Sequence, residues 1–570
     1  MFENLPRTYE MVKDWTWDDY RPYADDLMQR EIHTENLDTW LRDSTLIIEV
    51  LFEVYTRAYV NHTRDTTNQD YEKRYLSFLD NLMPQMLKAQ NDLSQKLVES
   101  GITPPGMEVS LRWMRADLEI FRDENLPILT QLEKLGSEYD KTSGAQTVEW
   151  MGEELTIPQT QPLLKDTDRE KRETVWKLAM QRQLADRDTF NTIWQQLLEQ
   201  RTQVAKNAGM PDFRAYNWKK YHRFDYTPAD CESFHRAIEE VVVPIMQRLY
   251  AKRKAALGVE SLRPWDTDVD IKGRDPIKPY QKIDELVSKM SRIFHRVDPH
   301  LGGYFDAMRE NDLLDLDNRK GKAPGGYCIG FPIKHEPFIF MNAVGMHDDV
   351  QTLLHEGGHA FHVYETQHLP YIQQKEPPIE FAEVASMSME LIGAPYLTAS
   401  EGGYYTPEDA ARARIEKLSE MLWFWTYMSV VDAFQHHVYT NADKAADPAY
   451  CDTVWSELWD RFMSGVDYTG LEDIKMTGWH RKLHIFTVPL YYVEYGLAQL
   501  GSVQVWAKSL DDQKTAVVNY RQALSLGCTA SLPDLFAAAG AKFAFDAGTL
   551  RRAVDLIEKT INDLEAVERQ

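Results

Sequence analysis

Cysteine is scarce in this sequence, and so are segments suited to a membrane or to nucleic acid. The four cysteines, Cys231, Cys328, Cys451 and Cys528, lie far apart and form no CxxC pair, which argues against zinc–thiolate ligation. In a chain of 570 residues they read as the reduced thiols of a cytoplasmic protein. No run of 18 or more apolar residues is present, so no bilayer-spanning helix is expected. The opening stretch MFENLPRTYEMVKDW has neither a basic nor an apolar signal region, and no secretory signal is expected. Positive charge is in deficit: 64 Lys and Arg stand against 89 Asp and Glu, a net charge of −25. Nucleic acids and anionic membrane surfaces are both bound through basic side chains, so neither is an expected partner. No low-complexity linker or internal repeat is present. The phrase YRQALSLG from Tyr520 resembles one helix of a tetratricopeptide unit, but it occurs once and without a partner helix, so it reads as core packing.

A hydrophobic content of 43% with 27% charged residues is that of a folded globular chain. Length alone allows about four domain-sized units, yet the patterning reads as one continuous, mostly helical body. Apolar residues recur at three- and four-residue intervals from Leu37 and again from Asp70, where the pattern stops before Gly101 and the Pro104–Pro105 pair. Helices are also expected between Arg112 and Asp140, Asp168 and Ala208, Cys231 and Leu257, and over the last 60 or so residues, which end in a long helix from about Ala547 to Val567. TVEWMGEELTI, from Thr147 to Ile157, alternates about Gly152 and reads as a hairpin. GGYCIGFPIKHEPFIFMN, from Gly325 to Asn342, holds two short β-rich runs. The expected organisation is an N-terminal helical lobe over 1–205, a catalytic region with a small β insert over 206–500, and C-terminal helices over 501–570.

The chemistry is concentrated in HDDVQTLLHEGGHAFHVYET, from His347 to Thr366. It reads as a helix capped by Asp348 or Asp349, with Val350, Leu353, Leu354, Phe361 and Tyr364 as its apolar positions. Within HEGGH, His355 and His359 lie four residues apart on one face, so both imidazoles can reach one ion. Glu356 is one step round the helix and can take a proton from a water at that ion without binding it. Gly357 and Gly358 each cost about 1 kcal/mol against Ala inside a helix, which fits a close approach of backbone or substrate there. A catalytic zinc takes three protein ligands and keeps a fourth position open. The third can come from the helix PPIEFAEVASMSMELIG, from Pro377 to Gly393. On spacing alone Glu380 and Glu383 are nearly equal candidates, and Glu390 shares their face. His362, seven residues from His355, can support the ligands or simply be a packed polar residue. The strand PFIFMN can offer an edge to an extended peptide or be a core strand.

HEGGHAFH followed by FAEVASMSME resembles the thimet-oligopeptidase family of zinc peptidases. RKGKAPGGYC (from Arg319), PFIFMNAVG (from Pro337) and HIFTVPLYYVEYG (from His484) resemble its oligoendopeptidase F and PZ-peptidase branch, so the similarity runs from about Arg319 to Gly496. The resemblance implies a mainly α, two-lobed, gluzincin-like fold with a deep central cleft and a small β-sheet beside the active-site helix. It implies one zinc ion on His355, His359 and the Glu of an ExxS element, which selects Glu383, followed by Ser386, over Glu380. It implies a His and one or more Tyr that steady the developing oxyanion: His484, with Tyr492 and Tyr495 ranked ahead of Tyr491. The His-to-Tyr spacing departs from the longer glycine-rich pattern of the mammalian members, so which Tyr acts stays open. The expected activity is hydrolysis of internal bonds in short unfolded peptides, Glu356 acting as general base on a zinc-activated water. A carboxypeptidase on a related fold is the nearest alternative, with Arg412, Arg414 or Arg481 recruited for the terminal carboxylate. A catalytically silent peptide-binding protein and a helical scaffold with an adventitious metal are others. The oligomeric state is left open.

Overall fold

The helix that begins at Leu37 carries the first large apolar stripe, and in the computed structural model, which describes residues 1–319, 321–323 and 325–567, it buries Trp40, Leu41, Leu51 and Val54 in a core of its own with Tyr20, Phe78 and Met114. A second, larger core runs from Val60 to Leu564 and encloses the candidate site. The elements that build and hold that site are these: α1 (Leu37–Arg64), a hairpin of β1 (Thr147–Trp150) and β2 (Glu153–Thr156), α2 (Arg187–Asn207), α3 (Phe213–Lys220), α4 (Pro228–Val241), α5 (Ile283–Val297), β3 (Leu314–Asp317), β4 (Tyr327–Phe331), β5 (Glu336–Ala343), α6 (His347–Glu365), α7 (Ile379–Gly393), α8 (Pro407–Thr440), α9 (Tyr492–Asp511) and α10 (Ala547–Val567). The protein is mainly helical, with a small mixed sheet.

Most expected helices form, with local differences that have physical causes. The stretch from Asp70 is two helices, Gln69–Asn81 and Met83–Glu99, joined at Leu82. Pro84 stands in the first turn of the second, where its missing N–H costs nothing; it would break a continuous helix. α6 begins at His347 with Met346 in the cap position. Asp349 caps it from the first turn, its Oδ2 accepting the N–H groups of Val344 at 2.9 Å and of Gly345 and Met346 at 2.8 Å. A carboxylate there also answers the positive end of the helix dipole.

The three-stranded sheet has the order β3-β5-β4, with β3 parallel and β4 antiparallel to β5. β5, which contains PFIFMN, is therefore the middle strand and has no edge to offer. β3, a four-residue strand that the sequence pattern did not reveal, takes the position beside it. Among the described residues β4 pairs only with β5, so the edge next to α6 is that of β4. α1 is tied to this sheet by buried charge. The Asp315 carboxylate accepts from Arg64 at 2.5 Å, Arg319 at 2.6 Å and Lys322 at 2.8 Å. Alongside it, Thr63 and Tyr327 share a hydrogen bond of 2.6 Å.

Candidate metal centre

The two glycines of HEGGH are where α6 meets its neighbours. A Cβ on Gly357 would lie 2.5 Å from the Phe294 ring of α5, and one on Gly358 would lie 2.6 Å from both Ala385 O and Ser386 Cα of α7. The second contact is with backbone, which cannot rotate aside. The absence of a side chain at Gly358 therefore lets α7 press against α6, and that crossing brings Glu383 over the histidine pair. Val350, Leu353, Leu354, Ala360 and Phe361 bury the rest of α6.

At the crossing, Glu383 Oε2 lies 3.4 Å from His355 Nε2 and 3.9 Å from His359 Nε2. One donor atom from each of the three residues falls within 4.8 Å of the others. Zinc bonds of about 2.0–2.2 Å at tetrahedral angles need donors roughly 3.3–3.6 Å apart, so two imidazole nitrogens and a carboxylate oxygen at these separations fit such an ion. The His355 and His359 side chains remain 25% and 23% exposed, so the pair is not sealed in the core. Ser386 Oγ donates to Glu383 Oε2 at 3.2 Å, fixing the carboxylate from its own helix.

Each charged group here has a distinct environment. Burial pulls His355 down, but the hydrogen bonds it donates to Glu383 and Glu390 outweigh it and hold the ring at about 10; a cation at the centre would take the place of that proton. Burial lowers His359 to about 4, keeping it neutral and able to ligate. Burial would raise Glu383, yet its hydrogen bond with His355 and the charges of His359 and His355 keep it below the usual carboxylate range. Glu356, 7% exposed, is pushed up to about 7 by burial, with His355 opposing and the charges of Glu383 and Glu390 adding to the rise. The Cys328 N–H on β4 points at its carboxylate.

Two residues of the centre were not assigned from sequence. Glu390 Oε1 pairs with His355 Nδ1 at 2.7 Å, and its other oxygen pairs with Lys417 Nζ of α8 at 2.6 Å. Together they fix the rotation of the His355 ring and leave Nε2 for the ion. The seven-residue spacing of Glu383 and Glu390 signals their shared face; nothing in the sequence signals Lys417.

His484 and the tyrosines cluster beside Glu383. The His484 ring lies 6.1, 4.9 and 5.9 Å from those of Tyr491, Tyr492 and Tyr495, and its buried Nδ1 has no hydrogen-bond partner among the described residues. Burial, and then the charge of Lys482, lowers His484 to about 4. Tyr491 Oη reaches Glu383 Oε1 at 3.4 Å and its ring packs 5.1 Å from that of Tyr495. Burial first, and then the charge of Glu383, raises both hydroxyls, so both stay protonated. Tyr492 is 4% exposed and packs on Phe424 at 5.4 Å and Tyr427 at 6.0 Å, with Lys482 Nζ 4.2 Å above its ring. The geometry thus turns Tyr491 and Tyr495, four residues apart, toward Glu383, while Tyr492, one step round, faces the core.

His362 packs edge-on to Phe381 at 6.1 Å. A second grouping of metal-type side chains, Cys231, Asp432 and His436, lies fully buried between α4 and α8. Here Asp432 Oδ2 already pairs with His235 Nε2 at 2.8 Å, and Arg214 donates to His436 Nδ1 at 3.3 Å. Arginine cannot accept, so the His436 proton sits on Nε2 facing the carboxylate and that ring has no lone pair for a cation. The four cysteines are free thiols. Of the arginines considered for a terminal carboxylate, Arg412 is committed to Asp270 at 3.1 Å and Glu416 at 3.0 Å, and Arg481 donates to Ile474 O at 2.7 Å. Arg414 borders a small cavity with Gln351, Glu390 and Lys417.

The model of peptidase family M3 matches residues 162–554. The chain is 23% identical over 557 residues to an oligoendopeptidase F homolog of Borreliella burgdorferi, covering 90% of this chain and 87% of that protein. It is 25% identical over 335 residues to oligopeptidase PepF of Bacillus subtilis, covering 57% of this chain and 47% of that protein. Among solved structures, PZ peptidase A with an inhibitor superposes with a TM-score of 0.87 at 26% identity, covering 99% of both chains.

Proposed function

Since the chain belongs to peptidase family M3 and is a metallopeptidase of the oligoendopeptidase F type, we propose that it cleaves internal bonds of short, unfolded peptides at one zinc ion held by His355, His359 and Glu383. The observation that carries this reading is the convergence of two imidazole nitrogens on one Glu383 oxygen, at 3.4 and 3.9 Å, beside a buried Glu356. Held there by these three residues, a zinc ion would supply Lewis-acid polarisation and acidify the attacking water. Glu356, poised at about 7, accepts the proton of the attacking water and returns it to the departing amine nitrogen. Tyr491 and Tyr495, kept protonated by burial, donate to the carbonyl oxygen as it becomes anionic. His484, kept neutral by burial, packs against all three tyrosine rings beside these donors. Glu390 and Lys417 hold His355 in register.

The outer edge of β4 runs beside Glu356, so an extended peptide can add there as a further strand. Its main chain is then gripped without selection by side chain, which suits varied peptides. No helix among the described residues is long and apolar enough to cross a membrane; action in the cytoplasm on peptides, without nucleic acid or lipid, is part of the proposal, as is the division into an N-terminal helical lobe over 1–205, a catalytic region over 206–500 and a C-terminal helical part over 501–570. The test is digestion of a doubly blocked peptide library with and without chelator, read by mass spectrometry. Cleavage of blocked peptides that stops with chelator is expected. Products only from free carboxyl termini would make the chain a carboxypeptidase, and binding without turnover would make it a silent receptor.

A further inference from the structure

The stretch made of the short helix Leu483–Thr487 and its link to α9 carries His484 near one end and Tyr491 at the other, and buried side chains from elsewhere hold much of its backbone. Arg201 of α2 donates to Ile485 O at 2.9 Å and also to Phe486 O. Asn217 of α3 donates to Pro489 O at 2.8 Å, and Arg223 donates to Leu490 O at 2.6 Å. Gln435 of α8 accepts from Leu490 N at 2.7 Å. All four side chains are essentially excluded from solvent. Arg223 is also paired with Glu494 Oε1 at 2.6 Å, and its guanidinium is enclosed by the rings of Trp218 at 4.6 Å and Tyr221 at 4.9 Å. Burying two guanidinium groups and two amides around one short segment is costly compared with an apolar packing of the same volume. Leu490, inside this clamp, has φ of +63°, a left-handed conformation that a bulky residue holds only when its surroundings impose it.

We propose that Asn217, Arg223 and Gln435, with Arg201, are positioning residues for the peptidase reaction, clamping Pro489–Leu490 so that the Tyr491 hydroxyl stands over Glu383. Arg201 also donates to Tyr439 Oη at 2.7 Å and Gln435 to Val431 O at 3.3 Å, which anchors the clamp to α8; toward the site it acts through Tyr491, the next residue along the chain. Released from Gln435 and Arg223, Leu490 relaxes to negative φ, the peptide plane before Tyr491 turns, and the hydroxyl leaves its place 3.4 Å from Glu383 Oε1. This inference rests on the reading of Tyr491 as a donor to the developing oxyanion.

The test is a double-mutant cycle on the zinc-loaded, full-length enzyme with a doubly blocked fluorogenic peptide. Gln435→Met removes the acceptor at nearly constant volume, and Tyr491→Phe removes the hydroxyl. Tyr491→Phe is expected to lower kcat about 10²-fold. Gln435→Met is expected to lower kcat about tenfold, with KM within about twofold and one zinc still bound per chain. The double variant should fall no lower than Tyr491→Phe alone, to within about threefold, because the clamp has nothing left to position. Losses that multiply to about 10³-fold, or a Gln435→Met enzyme with parental kcat, overturn the clamp while leaving the tyrosine's role intact. A Tyr491→Phe enzyme with parental kcat instead removes the tyrosine reading itself. If Gln435→Met does not accumulate as folded protein, Asn217→Ala runs the same cycle from the Pro489 carbonyl.

Discussion

Glu356 and Glu383 are buried carboxylates on either side of the same histidine pair, and their surroundings drive them apart. Glu383 touches His355 and stays anionic, as a ligand must; Glu356 lacks such a partner and is lifted to about 7, where it can both take and give a proton. Such a separation of two neighbouring acids is what the proposed roles of ligand and general base require. Replacing Glu356 by Gln keeps the shape and removes the proton acceptor: kcat is expected to fall about 10²–10⁴-fold, with zinc content by atomic absorption unchanged. Glu390→Gln acts differently, because it loosens His355 and not the base. It is expected to weaken zinc binding by about 10–100-fold in a competition titration with a chelating dye, and excess zinc should restore most of the turnover. Much at this scale was legible in the sequence, since the four-residue spacing of His355 and His359 fixes their shared face. The lost information was rotational. A run of Tyr491, Tyr492 and Tyr495 does not reveal which rings turn inward, and Lys417 lies too far along the chain for any local pattern to point to it.

The elements owe their arrangement to a few small residues and a few buried charges. At Gly358, alanine would favour the helix by about 1 kcal/mol, yet its Cβ would run into the Ala385–Ser386 backbone at 2.6 Å. Gly358→Ala is therefore expected to leave helix content by circular dichroism unchanged while zinc affinity and activity collapse, as α7 is pushed off α6. Intact zinc binding in that variant would show that the crossing is not what brings Glu383 to the site. Asp315 governs the join between α1 and the sheet. Burial would raise its pKa, but hydrogen bonds from Arg319, Lys322 and Arg64 hold it well below the ordinary value of 3.8. A depressed folded-state pKa stabilises the protein above the unfolded value, and that stabilisation is lost as the pH falls below about 4. The melting temperature should thus begin to drop near pH 4 and keep dropping below it, and Asp315→Asn should flatten that drop while costing about 3 kcal/mol at neutral pH. The long helices and the β1–β2 hairpin were legible from their periodicity and turn residues. β3 was not, because four residues of LDLD carry too little alternation to stand out; without it, β5 could not be recognised as a central strand.

As a whole, the molecule is a mainly helical M3 metallopeptidase in which β4, α6, α7 and α9 meet around the candidate metal site. Blocked peptides of modest length are expected to be cleaved and folded proteins to be spared; a mass-spectrometric digest against a length series checks this, and cleavage of a stably folded domain would contradict it. The central claim is that His355, His359 and Glu383 share a single zinc. An anomalous-difference map from crystals of the purified enzyme, recorded on both sides of the zinc absorption edge, tests it most directly. The account predicts one peak, about 2.0–2.2 Å from the two His Nε2 atoms and a Glu383 oxygen. A zinc peak at another set of side chains, or none between these three in active enzyme, would contradict it.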